Sequence, residues 1–72
     1  MNKNEIGINA GIVWRIMNND QSWTYSQLQS ASGLSEREVS AAIGWLARED
    51  KIEFSETNGE ECFRLIILHI YF

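Results

Sequence analysis

Residues 24–49 read TYSQLQSASGLSEREVSAAIGWLARE, and this stretch decides the fold. Within it, Thr24 is followed three residues later by Gln27, and Ser35 by Glu38. In a capping box, a hydroxyl accepts a hydrogen bond from a backbone N–H of the first helical turn, while the side chain three residues on reaches back. The stretch therefore predicts two successive helix starts.

The two predicted helices are joined by a tight turn at Gly33, because glycine tolerates the left-handed backbone that ends a helix. The first spans roughly residues 25–31 and is anchored by Leu28. The second spans roughly residues 36–49, and helical periodicity turns its branched apolar side chains inward: Val39, Ile43 and Leu46. Two helices with a glycine-containing turn between them form a helix-turn-helix. In members of this motif that bind DNA, the second helix contacts the bases.

A further helix is predicted at the N-terminus, before this pair. Asn2 and Glu5 have the capping-box spacing, and residues 18–20 end the helix. Its inward face is predicted to carry Ile6, Ala10, Val13 and Met17, with Trp14 beside them. This face is expected to pack against the other two helices.

A β-hairpin is predicted after the helices, around Asn58 and Gly59. This dipeptide favours a type I′ turn, in which both central residues have positive φ. Strands over residues 52–56 and 61–65 then form four cross-strand pairs. Ile52 with Leu65 and Phe54 with Phe63 lie on the inner face, and Glu53 with Arg64 and Ser55 with Cys62 on the outer face.

Together these elements predict one α+β domain over residues 1–72. It consists of three helices, a hairpin wing and a short third strand at Trp23, which precedes the second helix. A chain of 72 residues is near the lower size limit for a protein that folds without disulfides or metal. One hydrophobic core is therefore expected.

The order and spacing of these elements resemble the winged helix-turn-helix superfamily of bacteria and archaea. Residues 34–39 (LSEREV) and 42–52 (AIGWLAREDKI) are similar to a family of small bacterial winged helix domains of unknown function. The resemblance implies a winged helix fold. It leaves the function open, because the superfamily includes DNA-binding repressors, protein-interaction modules and structural parts of larger machines.

Several function classes are not predicted. The chain has no glycine-rich phosphate loop and no nucleophile and base at a recognisable spacing, so no enzymatic activity and no cofactor are expected. Cys62 is expected to be outward-facing and inert, and His69 has no neighbouring ligands in an apolar strand, so no metal site is predicted. The lone cysteine and the absence of a secretion or membrane-spanning segment favour the cytoplasm.

The outer face of residues 36–49 is the candidate nucleic-acid surface, formed by Arg37, Ser40, Ala41, Gly44 and Arg48. Guanidinium groups contact phosphates or guanine edges, and small residues let a helix backbone approach the major groove. A second interpretation stays open: both arginines are solvated, with Glu38 or Glu49 as partners, and Gly44 makes room for a neighbouring side chain. Trp45, on the flank of this helix, is predicted to pack against the wing.

Charge leads to two hypotheses of function. Six basic and ten acidic residues give a net charge of −4, and four glutamates crowd the wing: Glu53, Glu56, Glu60 and Glu61. Phosphate repulsion disfavours wing contacts with DNA. The leading hypothesis is a small DNA-binding transcriptional regulator that reads the major groove with its third helix. The alternative is a protein-interaction winged helix that does not bind DNA.

An excess of apolar residues predicts a homodimer. The N-terminal helix has a second apolar stripe, Ile8, Ile12 and Ile16, and the C-terminal strand is apolar on both faces beyond Arg64. The predicted interface combines this stripe with Ile66, Leu68, Ile70 and Phe72. In the alternative interpretation, the last strand packs under the N-terminal helix of its own chain.

Overall fold

The computed structural model describes residues 1–66. Its helices are α1 (Lys3–Ile16), α2 (Tyr25–Ser32) and α3 (Glu36–Arg48), and its strands are β1 (Trp23–Thr24), β2 (Ile52–Thr57) and β3 (Glu60–Leu65). The strands form an antiparallel sheet in the order β1-β3-β2. The α+β architecture predicted from the sequence, including the short strand at Trp23, is confirmed.

Local hydrogen bonds set the helix starts as predicted for α2 and α3. Thr24 Oγ1 accepts from the Gln27 N–H at 3.2 Å and Gln27 Oε1 accepts from the Thr24 N–H at 3.0 Å. Ser35 and Glu38 form the same reciprocal pair. Gly33 ends α2 with a φ of 73°, a conformation that glycine adopts without a steric penalty.

The cap of α1 differs from the predicted capping box. Asn2 Oδ1 accepts from the Glu5 N–H at 2.9 Å, as expected. The Glu5 carboxylate, however, accepts from the side-chain amide of Asn2 at 3.1 Å and not from its backbone N–H. Asparagine carries its own N–H₂ donor, which serine and threonine lack, and this donor takes the place of the backbone group.

The hairpin has the predicted turn and register. Asn58 and Gly59 have φ values of 54° and 80°, as a type I′ turn requires. Phe54 pairs with Phe63, and the other three predicted pairs are also formed. The expected acid–base contact between Glu53 and Arg64 is replaced, because the Arg64 guanidinium donates to Asp20 Oδ1 at 3.1 Å.

The core lies between the three helices and the inner face of the sheet. Its largest fully buried side chains are Phe63, Met17, Leu28, Ile43, Val13 and Val39. Phe63 is in edge-to-face contact with Tyr25 at 4.5 Å and with Phe54 at 5.2 Å between ring centroids. Aromatic pairs favour this geometry because the positive ring edge meets the negative ring face.

Four side chains are exposed or buried contrary to expectation, among them Phe54 of the predicted inner face of the hairpin, which is 49 % exposed. Ala10, Val13 and Met17 of the predicted inward face of α1 are buried, but on the flanks of this face Asn9 is buried and Trp14 is 40 % exposed. Cys62 is buried although it lies on the outer face. Its strand is central, and Thr24 and Ser55 pair with it on either side, so neighbouring strands cover this small side chain.

The capping box of α3 also makes stability depend on pH. Hydrogen bonds from the backbone N–H and then the hydroxyl of Ser35 hold the pKa of Glu38 below its usual value of 4.5. A carboxyl whose pKa is lower in the folded state stabilises the fold fully above its unfolded pKa, and this stabilisation is lost as the pH falls through the folded pKa. The α3 cap therefore weakens in acid.

We expect Glu38→Gln to flatten the decline of stability below pH 4.5, because glutamine keeps the acceptor of the capping box without titrating. Urea midpoints measured from neutral pH into the acid range test this. Glu36→Gln is the matched control, since it removes a carboxylate from the same helical turn but no capping bond. An equal flattening by both variants would contradict the assignment to Glu38.

Candidate nucleic-acid interface

The candidate interface is the outer face of α3, which consists of Arg37, Ser40, Ala41, Gly44 and Arg48. The opposite face of this helix is buried and carries Val39, Ala42, Ile43 and Leu46. On the outer face all residues are exposed except Ala41, which is half-buried. The structure thus brings the five predicted residues together on one accessible surface.

Gly44 has no packing role within residues 1–66. A Cβ atom built at this position meets nothing within 4 Å. The interpretation that Gly44 makes room for a neighbouring side chain is therefore wrong for the described part of the chain. A glycine inside a helix costs about 1 kcal/mol relative to alanine, so α3 is weakened here without any gain in internal packing.

The two arginines of the outer face form no ion pair with the described residues. Within residues 1–66, the pair that brings opposite charges within 4.0 Å joins Arg64 to Asp20. The expected partners Glu38 and Glu49 are thus not in contact with Arg37 or Arg48, and Glu38 is engaged in the helix cap. Eleven positions of helix separate the two arginines, which corresponds to about 16 Å along its axis.

The hairpin wing is acidic, as predicted. Its four glutamates, Glu53, Glu56, Glu60 and Glu61, are all exposed. Basic residues on the two strands are limited to Arg64, whose guanidinium is bound to Asp20. A duplex close to the wing would meet negative charge, which repels phosphates.

Comparisons with known proteins agree with this arrangement of three helices and a wing. Residues 1–65 match the family of winged helix-turn-helix domains DUF2582. The chain belongs to this family. It is also similar to the solution NMR structure of protein BT2368 from Bacteroides thetaiotaomicron, with 33 % identity and a TM-score of 0.80. That similarity covers 90 % of this chain and 79 % of the other. No curated protein matches.

Family membership confirms the resemblance seen in the sequence and the winged helix fold. A winged helix domain is typically non-enzymatic and is compatible with a DNA-binding or regulatory role. Within residues 1–66 no group of three or more His, Cys, Asp or Glu side chains is placed to hold a metal ion. Among the same residues no helix is long and apolar enough to cross a membrane. His69 lies outside the described residues.

The Trp45 ring of this winged helix lies beside α1, whereas the sequence predicted that it packs against the wing. A Cβ atom at Gly7 would lie 3.7 Å from Cζ2 of the Trp45 ring. Sequence reasoning missed this contact because it depends on how α3 crosses α1. The available indication was the pair of glycines, Gly7 and Gly11, spaced one helical turn apart in α1.

The predicted homodimer interface is only partly accessible. Ile8 is 64 % exposed, whereas Ile12 and Ile66 are half-buried and Ile16 packs against the core. The remaining predicted residues, Leu68, Ile70 and Phe72, lie outside the described residues. The second apolar stripe of α1 is therefore not one continuous free surface, and the homodimer stays a prediction.

Proposed function

We propose that this winged helix binds double-stranded DNA with α3 in the major groove and acts as a small transcriptional regulator. The observation that carries the proposal is Gly44, an exposed glycine in the middle of α3 that no contact within residues 1–66 explains. Close approach of a partner to the helix backbone accounts for a residue without a side chain at this position.

The chemistry of the outer face fits a duplex. Arg37 and Arg48 are exposed and unpaired within the described residues, so their guanidinium groups are available to phosphates or guanine edges. Ala41 and Gly44 lie between them, and their small size lets a duplex approach the helix backbone closely. Ser40 adds a hydroxyl that donates to or accepts from either a base or a phosphate.

Charge limits the affinity and the mode of this binding. A net charge of −4 and an acidic wing oppose the electrostatic attraction that supplies most non-specific DNA affinity. We therefore expect weak binding through α3 alone, which decreases further as the salt concentration rises. Such a regulator would act without a cofactor or a metal, in the cytoplasm, and without enzymatic activity.

The proposal is tested by amide NMR shifts of the ¹⁵N-labelled chain during addition of a generic duplex. At about 50 mM salt, where phosphate contacts are strong, we expect shifts clustered on the outer face of α3. Near 150 mM salt they should weaken, because counterion release then contributes less to binding. The absence of α3 shifts at low salt would overturn the proposal.

A pair of variants shows whether the arginines act at their positions or only through charge. The double variant Arg37→Gln with Arg48→Gln should abolish most of the shifts. Any binding that remains should depend less steeply on salt, with the slope of log K against log salt smaller in magnitude by about 0.9 for each phosphate left without a guanidinium partner. Lys3→Gln with Arg15→Gln is the matched control, since it removes two exposed positive charges from α1. An equal decrease of binding in both double variants would indicate a general charge effect.

A protein-interaction winged helix without DNA affinity is the second candidate function. The four exposed glutamates of the hairpin favour it, because they suit a basic partner surface better than a phosphate backbone. The duplex titration separates the two candidates. Unchanged α3 resonances at low salt would leave the interaction module as the better explanation of the charge distribution.

A further inference from the structure

An apolar groove lies between α1 and α3, and its described lining includes none of the five residues of the outer face of α3. Its volume is about 280 Å³, and it is lined by Gly7, Ala10, Gly11, Trp14, Trp45, Leu46 and Lys51. Its lining thus combines small residues of α1 with two indole rings. Trp14 is 40 % exposed and Trp45 38 %.

The groove exposes apolar surface, including part of each of its two indole rings. Indole rings bury a large area when they find a partner, and tryptophan is enriched at sites of contact. Ile8, which is 64 % exposed, is on α1 one residue from Gly7 and three from Gly11. Exposed large apolar side chains of this kind mark a surface that binds another apolar group.

The last described residue is tethered beside this groove. The Ile66 N–H donates to the carbonyl oxygen of Lys51 at 2.9 Å, and Lys51 is one of the groove-lining residues. Six residues follow, with the sequence ILHIYF, and all but His69 are apolar or aromatic. Six extended residues span about 20 Å. The α1 positions from Gly7 to Trp14 rise by only about 10 Å, so the segment is long enough to cover the groove.

We propose that residues 67–72 of the same chain bind in the groove between Trp14 and Trp45. The small residues of α1 let a polypeptide backbone come close to this helix, and the indole rings cover the apolar side chains of the segment. Attachment at Ile66 makes binding intramolecular, with an effective concentration that a separate partner rarely reaches. Trp45 lies on the α1 side of α3, so this binding leaves the outer face of α3 open to DNA.

The direct test is a nuclear Overhauser experiment on the ¹³C,¹⁵N-labelled full chain. We expect contacts from the methyl groups of Leu68 or Ile70 to the indole protons of Trp14 and Trp45, unchanged on dilution. In a mixture of labelled and unlabelled chains, isotope-filtered spectra should show that these contacts arise within one chain. Absence of the contacts, or contacts only between chains as in a homodimer, would overturn the proposal.

A double variant provides a second readout. Leu68→Asp with Ile70→Asp should release the segment and shift the indole N–H resonances of Trp14 and Trp45. The Trp23 indole, which donates to Asn19 Oδ1 at 3.1 Å outside the groove, should stay in place and report that the fold is intact. Ser55→Asp with Thr57→Asp adds the same charge to the exposed hairpin and should shift neither groove indole. Unmoved groove indoles in the tail variant would also overturn the proposal.

Because the groove and the outer face of α3 are different surfaces, the two proposals fail independently. Release of the tail in the Leu68→Asp and Ile70→Asp variant should leave the salt-dependent DNA shifts of α3 unchanged. A chain that shows the tail contacts but no DNA shifts would retain this inference and exclude the proposed function.

Discussion

Replacement of Phe63 by alanine is expected to lower the free energy of unfolding by about 3–5 kcal/mol, the usual cost of removing a buried aromatic side chain. Phe63 is fully buried on the central strand of the sheet and contacts the rings of Tyr25 and Phe54. Since small domains are stable by only about 5–15 kcal/mol, the variant should lose a large part of its stability.

Phe54→Ala is the matched control for this change. Phe54 lies directly opposite Phe63 in the hairpin but is 49 % exposed on an outer strand. Its replacement removes an edge-to-face interaction worth about 1 kcal/mol beyond the area that it buries, and leaves no closed cavity. Urea midpoints followed by circular dichroism compare the two variants. Equal decreases in stability would contradict the assignment of Phe63 to the core.

Replacement of Leu28 by alanine is expected to cost about 2–5 kcal/mol. Leu28 is the buried residue of α2 and is fully inaccessible. An eight-residue helix is far shorter than the roughly 12–15 residues that an isolated helix needs in water, so α2 depends on this side chain. We expect α2 to lose its docking to the core, and the Gly33 turn to lose its fixed position with it.

Amide hydrogen exchange tests where the Leu28→Ala variant loses structure. Protection should fall first in α2, while α1 and α3, which pack on each other, keep more of theirs. Gln29→Ala changes the next residue, which is exposed, and should leave exchange in α2 nearly unchanged. Uniform loss of protection across all three helices would mean that α2 does not unfold separately.

Much of the fold could be predicted because the deciding interactions are local. Thr24 and Gln27 are three residues apart, as are Ser35 and Glu38, so their hydrogen bonds form as soon as the helix begins. The hairpin register follows from the positive φ values of Asn58 and Gly59. The outer face of α3 was predictable for the same reason, since it is the side of one helix opposite its own apolar stripe.

The remaining features depend on how the elements are placed against each other. The Arg64 guanidinium binds Asp20, which is 44 positions away in sequence, and not Glu53, its cross-strand neighbour. Helical periodicity describes the faces of one helix, but not the crossing of two. Helical periodicity therefore could not predict the contact of Trp45 with α1 or the exposure of Trp14.

The sequence by itself thus determined the helix boundaries, the hairpin turn, the strand register and the accessible face of α3. Each depends on hydrogen bonds, backbone dihedrals or periodicity within a single element or turn. The tertiary structure decided which side chains on the flanks of these elements are covered: it buried Cys62 between two strands and left both indole rings at the groove. Burial at such positions is set by neighbours distant in sequence, and no local pattern specifies them.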